Sequence, residues 1–481
     1  MKKRSKWIGA VTILALSTIV LGACGTSKSS KEKDPTLIWY LANTPQKGTK
    51  DVNDKLNEVL KEKKAGYQVS MEFIDVGDYD KKLNIINNSG EEFDIAFTSG
   101  WAGNFAKIGT YKDVTDLLPK FAPETNELLS EETIKGTSQN GKLYAVPGVN
   151  GQGYKTNAHY LIFNKELVEK YDIPYEKIHS LADAEPYLEM IKEKEPEYIP
   201  LNYDKATSVY IPYEIIQRPY AVNYEKGSTE VVNIYEQKDT IEQLKLLRKY
   251  YQAGYIPEDA AVKSPDPKAK FFATTGEGFP GADVVWTNGF GTEVVSTPIL
   301  KPLVSNASSR GSMLSISARS KHPEESMKFI NLINTDKEIR NLVGYGIEGT
   351  DYKKADDNEI EILPDAKYEV AQFNFGSNVV AYNLKGALDY STPEFKEIIS
   401  DYNKTAVTSP ILGFTYDSSK LGTESAGISS VLNEYQFALN VGSVDVDKQL
   451  EQMNKKFKEA GGDRVKEEIQ SQIDDWKKTQ K

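Results

Sequence analysis

Cysteine and histidine are nearly absent from this 481-residue chain: one Cys, at position 24, and three His, at 159, 179 and 322. A single thiol excludes intramolecular disulfides, so stability must come from a large core, which a chain of this length can build. The histidines open a strand, sit in a loop and precede Pro323, contexts that give no shared metal centre or catalytic triad. Neither a Gly-x-Ser-x-Gly elbow nor a His-Glu-x-x-His helix occurs. The clusters Gly151-Gln152-Gly153 and Gly276-Glu277-Gly278 lack the Lys-Ser/Thr of a phosphate loop. Asp445-Val446-Asp447 begins like a calcium loop but lacks the remaining ligands, and Asp447 is expected to cap a helix from Lys448. No catalytic residue, metal ligand or cofactor is assigned. With 70 acidic residues, paired carboxylates for glycoside hydrolysis cannot be singled out from composition. Positive charge is short as well: 59 Lys and Arg leave the chain at −11, which disfavours nucleic acid or an anionic membrane surface as partner.

What is present begins at the N-terminus. Lys2, Lys3, Arg4 and Lys6 precede an apolar run from Ile8 to Leu21. That run is a signal h-region, shorter than the roughly 20 apolar residues that span a bilayer. Leu21-Gly22-Ala23-Cys24 closes it and resembles the lipobox of bacterial lipoproteins. The resemblance implies that residues 1–23 are removed and that Cys24 carries a lipid anchor, holding the body at the outer face of a Gram-positive cell membrane. Residues 24–35, rich in Ser and Lys, then read as a flexible tether.

From Thr36 the pattern alternates. Apolar Leu37 to Leu41 fits a buried strand, Asp51–Lys63 a helix with Val52, Leu56, Val59 and Leu60 on one face, Tyr67–Ile74 a strand, Asp78–Asn87 a helix, and Phe93–Phe97 a strand. This is the signature of a parallel α/β layer, whose ligand crevice lies beyond the carboxyl ends of its strands. Further strands are expected at Gly141–Pro147, His159–Asn164, Lys270–Thr274, Ala282–Thr287 and Met313–Ile316. Helices are expected at 165–170, 180–195, 238–253, 323–332, 336–343 and 465–476.

Phe93-Asp94-Ile95 with its aromatic loop, Asn140 to Pro147, Ala282 to Asn288, and Ser320 to Ile330 together resemble extracellular solute-binding proteins of ABC importers, in the sugar-binding group. Tyr345 to Tyr352 and Leu412 to Asp417 resemble a larger Gram-positive lipoprotein subfamily with an extra C-terminal segment from about residue 410. The resemblance implies an α/β, two-lobe, periplasmic-binding-protein-like (type II) fold with a hinge and a central cleft. Lobe one is expected at 36–147 plus 308–348 and lobe two at 148–307 plus 349–481, with crossings near Val146–Gly153 and Gly344–Gly349. It further implies a monomer that captures an oligosaccharide and passes it to permease subunits in the membrane, without catalysis. A peptide carrier, a glycan-processing surface enzyme and an adhesin are the alternatives.

A sugar presents hydroxyls around apolar C–H faces, so its site needs flat aromatics beside amides or carboxylates. Tyr is abundant at 28 residues, and a ring with a polar tip suits a wet cleft. The candidates are Trp101 and Asn104 after the third strand, Trp286 and Asn288, the cluster Phe373, Phe375 and Asn378, then Asn43, Tyr154 and Glu348. Trp39, inside a strand, is assigned to the core.

Overall fold

A computed structural model describes residues 34–480 except 101–108, 140, 205–208, 264, 265, 267, 389 and 391. The signal segment, Cys24, Trp101 and Asn104 therefore lie outside the described residues. Two main sheets organise the chain. In the first, strand Thr36–Ala42 is flanked by the parallel strands Gln68–Ile74 and Ile95–Thr98, and antiparallel Met313–Ile316 and short Val146–Pro147 extend the edge. In the second, strand Ala158–Asn164 lies between antiparallel Val294–Pro298 and Phe271–Gly278, and Ile199–Leu201 closes the edge in parallel.

The helices follow from the apolar spacing. Helix Thr49–Glu62 buries Val52, Leu56, Val59 and Leu60, one stripe at 3.6-residue period, against the first sheet. Asp336 caps helix Lys337–Tyr345 by accepting from the Ile339 amide. Trp39 is fully buried, edge-on to Phe329 at 5.4 Å. Beneath the second sheet, helices Leu181–Lys194 and Lys238–Gln252 supply Leu188, Ile191, Leu247 and Tyr250 to a separate core. A third core joins the C-terminal helices Gly422–Asn440, Val446–Glu459 and Gly462–Thr479 to the hairpin Tyr213–Gln217/Tyr220–Asn223. Asp445, not Asp447, caps the second of these helices; its carboxylate, two residues earlier, accepts from the Lys448 amide, while Asp447 pairs with Lys245 at 2.7 Å.

Two other expectations are corrected. Ala282–Phe290 is a helix, not a strand, because Gly281 adopts a left-handed turn (φ 89°) that ends the preceding extended chain. The apolar run Val284-Val285-Trp286 fits either period, and length alone did not arbitrate. The chain also does not cross between sheets at 344–349. Val343 and Ile347 pack in the first core, and so do Tyr368, Val370 and Phe375 further on.

The chain passes between the sheets at 148–157, at 299–312 and beyond Phe375, where Gly376–Asn378 lie beside the first passage and Val380 and Tyr382 return to Asn341 on the first sheet's side before the helix Pro393–Thr405; these segments are stapled together. Gly148 donates its amide to Ser312 O (2.8 Å), Thr156 Oγ1 donates to Leu303 O (3.0 Å), and the Gly151 amide donates to Asn378 Oδ1 (2.5 Å). Gly148 and Gly376 approach so closely that a Cβ on Gly148 would stand 2.2 Å from the Gly376 carbonyl oxygen, backbone that cannot swing aside. Arg310, on the second passage, is buried and donates to Gly136 O, Ser138 O and Thr415 Oγ1, tying a helix of the first sheet's side to the C-terminal segment. Burial pulls its pKa down to about 10, against the opposing field of buried Glu214.

Gly148→Ala is therefore expected to destabilise the fold by about 1–3 kcal/mol, as overpacking does. A denaturant midpoint equal to that of the parent would contradict the close approach.

Candidate functional site

Aromatic rings flank the passages, one group on each sheet's side. On the first side Phe373 stands 43% exposed over Phe97, with ring centroids 5.1 Å apart at the carboxyl end of the strand Ile95–Thr98. Its carbonyl accepts from Ser312 Oγ (2.5 Å), which fixes it against the second passage. On the other side Tyr154 stacks on Phe279, centroids 4.5 Å apart and planes 9° from parallel. Tyr390 and Phe395 continue the cluster, edge-on at 4.7 Å, and Phe395 packs against Gly281. Phe97 and Phe395 are buried, while Tyr154, Phe279 and Tyr390 are half-buried. Desolvation raises the Tyr154 phenol to about 12, so it stays a neutral hydrogen-bond donor and acceptor at any physiological pH.

Trp286 lies on the second sheet. Its ring rests on Gly276 and Gly278, where a Cβ at Gly278 would come within 2.4 Å of Cζ2, and it meets Tyr160 edge-on at 5.6 Å. The two strand glycines make room for the indole, which stays half-buried, while Asn288 is exposed on the same helix.

The remaining candidates hold structure together. Phe375 is fully buried, edge-on to Trp39 at 5.8 Å and covered by the Arg340 guanidinium at 4.8 Å. Its ring is a core side chain and offers no face to a ligand, which corrects the reading of 373–375 as one exposed cluster. Asn43 is nearly buried. Its Nδ2 donates to Thr44 O (3.0 Å) and Glu369 O (3.2 Å), and its Oδ1 accepts from the Ala371 amide (3.2 Å). With its amide so engaged, it ties the end of the first strand to the 369–371 segment. Asn378 staples the first and third passages. Glu348 lies in an exposed turn, paired with Lys354 at 3.4 Å, among residues that pack on the first sheet's side.

Sequence reasoning missed Phe279, Tyr390, Phe395 and Arg340. Phe279 carried a signal, since it precedes Pro280-Gly281 at the end of a strand. Arg340 carried none. It is buried, donates to Ser377 O (2.9 Å) and Gln372 Oε1 (3.0 Å), and desolvation lowers its pKa to about 10. Among the described residues no group of His, Cys, Asp and Glu could hold a metal ion.

Phe375→Ala is expected to cost about 3–5 kcal/mol in unfolding free energy, the range for a large buried aromatic. Phe373→Ala should cost far less, and equal losses in chemical denaturation would place both rings in the core.

Residues 58–349 match the family described as bacterial extracellular solute-binding protein, and residues 410–478 match a domain of unknown function, DUF3502. A carbohydrate ABC transporter substrate-binding protein of Streptococcus pneumoniae is 30% identical over 507 residues, covering the whole of both chains. Lipoprotein LipO of Bacillus subtilis is 20% identical over 98% of each chain. Among solved structures, an N-glycan transport solute binding protein from Streptococcus pneumoniae superposes with a TM-score of 0.84 at 29% identity, covering 93% of this chain and 100% of that one. Its complexes with Man1GlcNAc and Man5GlcNAc superpose at 0.75 and 0.72. With two sheets, three passages and a family match over more than half its length, the chain belongs to the bacterial extracellular solute-binding proteins.

Proposed function

We propose that this chain is the substrate-binding subunit of an ABC importer, capturing an oligosaccharide outside the cell and delivering it to the membrane permease. The observation that carries the reading is the full-length likeness to a carbohydrate ABC transporter substrate-binding protein. The cleft chemistry supports it: Phe373 on one wall and the Tyr154–Phe279 stack on the other offer planar faces for sugar C–H surfaces.

Lobe one is then 36–147 with 313–375, and lobe two is 158–298 with 393–480, the passages between them forming the hinge. A glycan touching both walls favours closure only through its greater affinity for the closed form. Full-length likeness to a lipoprotein and the Leu21–Cys24 motif support a lipid anchor on Cys24 of a monomeric body. No described helix is long and apolar enough to cross a membrane. The family likeness is to binding proteins, so the bound sugar is expected to leave chemically unchanged.

A saturating glycan should raise the melting temperature, since ligand at a hundred times its Kd adds about 2.7 kcal/mol to stability. Man1GlcNAc and Man5GlcNAc are the first probes, followed by other oligosaccharides and by peptides. Tyr154→Ala should weaken glycan binding about tenfold or more, a loss of about 1.4 kcal/mol, with the unliganded melting temperature little changed. A response to peptides alone would overturn the sugar reading. Cys24→Ser should abolish incorporation of labelled fatty acid into the protein, and undiminished labelling would exclude the lipid anchor at Cys24.

A further inference from the structure

We propose that a second carbohydrate subsite, apart from the aromatic walls of the cleft, takes the outer sugar units of a long oligosaccharide; it rests on the sugar-binding reading above. The site is a pocket of about 370 Å³ between the end of the second sheet and the segment leading into the hairpin at 213–223. Its size falls within the roughly 300–1,000 Å³ of small-molecule sites. His159, Tyr210, Tyr213, Arg218 and Glu277 line it, with Ile211 among its apolar side chains.

Strand alternation separates this pocket from Trp286. Ala158, Tyr160 and Ile162 join the cluster containing Trp286, whereas Leu161 and Phe163 join the core on the other face, the side to which His159 belongs. His159 pairs in register with Glu277, and the adjacent pair Ala158–Gly278 leads straight to Tyr154 and Phe279. The pocket thus lies at the sheet end next to Tyr154 and Phe279, within reach of a chain of sugars leaving the aromatic stack.

Its chemistry selects a neutral polyol. His159 Nδ1 is buried and makes no hydrogen bond within the described chain; the nearest Glu277 oxygen is 3.9 Å away, beyond bonding distance. Desolvation lowers the imidazole pKa, so the ring is neutral near pH 7 and ready for a hydroxyl. The Tyr210 ring sits 4.5 Å from the imidazole, and Ile211 supplies an apolar surface for C–H groups. Arg218 and Glu277 lie in one pocket, so an anion meets a carboxylate and a cation meets a guanidinium, while hydroxyls bond to both.

The test compares Man1GlcNAc and Man5GlcNAc by calorimetric titration of the full mature chain and its His159→Leu and Glu277→Gln variants. Glu277 is two-thirds exposed, so its variant is expected to fold like the parent. Both substitutions should weaken Man5GlcNAc about tenfold and leave Man1GlcNAc within about twofold. Equal losses on both glycans, or no loss on either, would overturn the subsite while leaving the cleft reading intact. Failure of the parent chain to bind either glycan would instead remove the sugar reading and the subsite with it.

Discussion

The close approach of Gly148 and Gly376 is the constraint on which the molecule depends. Where two chain segments pass between sheets side by side, a side chain on Gly148 would strike main chain 2.2 Å away. The Gly151 amide on Asn378 and the Ser377 carbonyl under Arg340 hold the same segments in register. The passages are bonded to one another, the first to the second through Gly148 and Thr156 and to the third through Gly151. Arg340 contributes a second function there. Its guanidinium covers Phe375, so the floor of the hinge is anchored to the core around Trp39 and Phe329.

Aromatic rings gain their meaning from this frame. Phe373 projects from the single helical turn Gln372–Phe375, in which Asn374 and Phe375 are buried. Asn374 Oδ1 accepts from the Ala42 amide (2.7 Å) and its Nδ2 donates to the Ala42 carbonyl (3.1 Å), so the side chain imitates a neighbouring strand. That contact sets the exposed ring beside the end of the first sheet. Opposite it, Gly281 in a left-handed turn lets Phe279 leave the strand and meet Tyr154 face to face. The exposed aromatic rings are thereby divided between the two sheets' sides, which also meet where Lys135 and Gly136 approach Leu412 and Gly413.

The α/β layering was readable in the sequence because buried strands and amphipathic helices carry distinct periods. Trp39 in its strand and Gly254 just past helix Lys238–Gln252, at φ 72°, are examples of residues whose local signals agreed with their environment. The site was less legible. In the stretch Gln372 to Asn378, polarity and Gly376 pointed to an open loop, yet only Phe373 faces out; Asn374 and Phe375 are consumed by contacts with residues more than 300 positions away or beneath the sheet. Long-range pairing of that kind leaves no period to read. The third passage was placed near 344–349 because glycines cluster there, but those glycines end a helix within the first core. Arg340, Arg310 and Glu214 were invisible for a related reason, since a buried ion reads in sequence like any surface charge.

The C-terminal segment completes the second body. Its three helices close a core with the hairpin at 213–223, and the bonds from Arg310 to Thr415 and from the Ser409 amide to Val304 O connect that segment to the second passage. Closure of the two bodies on a bound glycan is the central claim, and small-angle X-ray scattering of the mature chain tests it most directly. Saturation with an oligosaccharide that binds should reduce the radius of gyration below that of the free protein. Full occupancy with an unchanged radius of gyration would contradict closure about the Gly148–Gly376 passages.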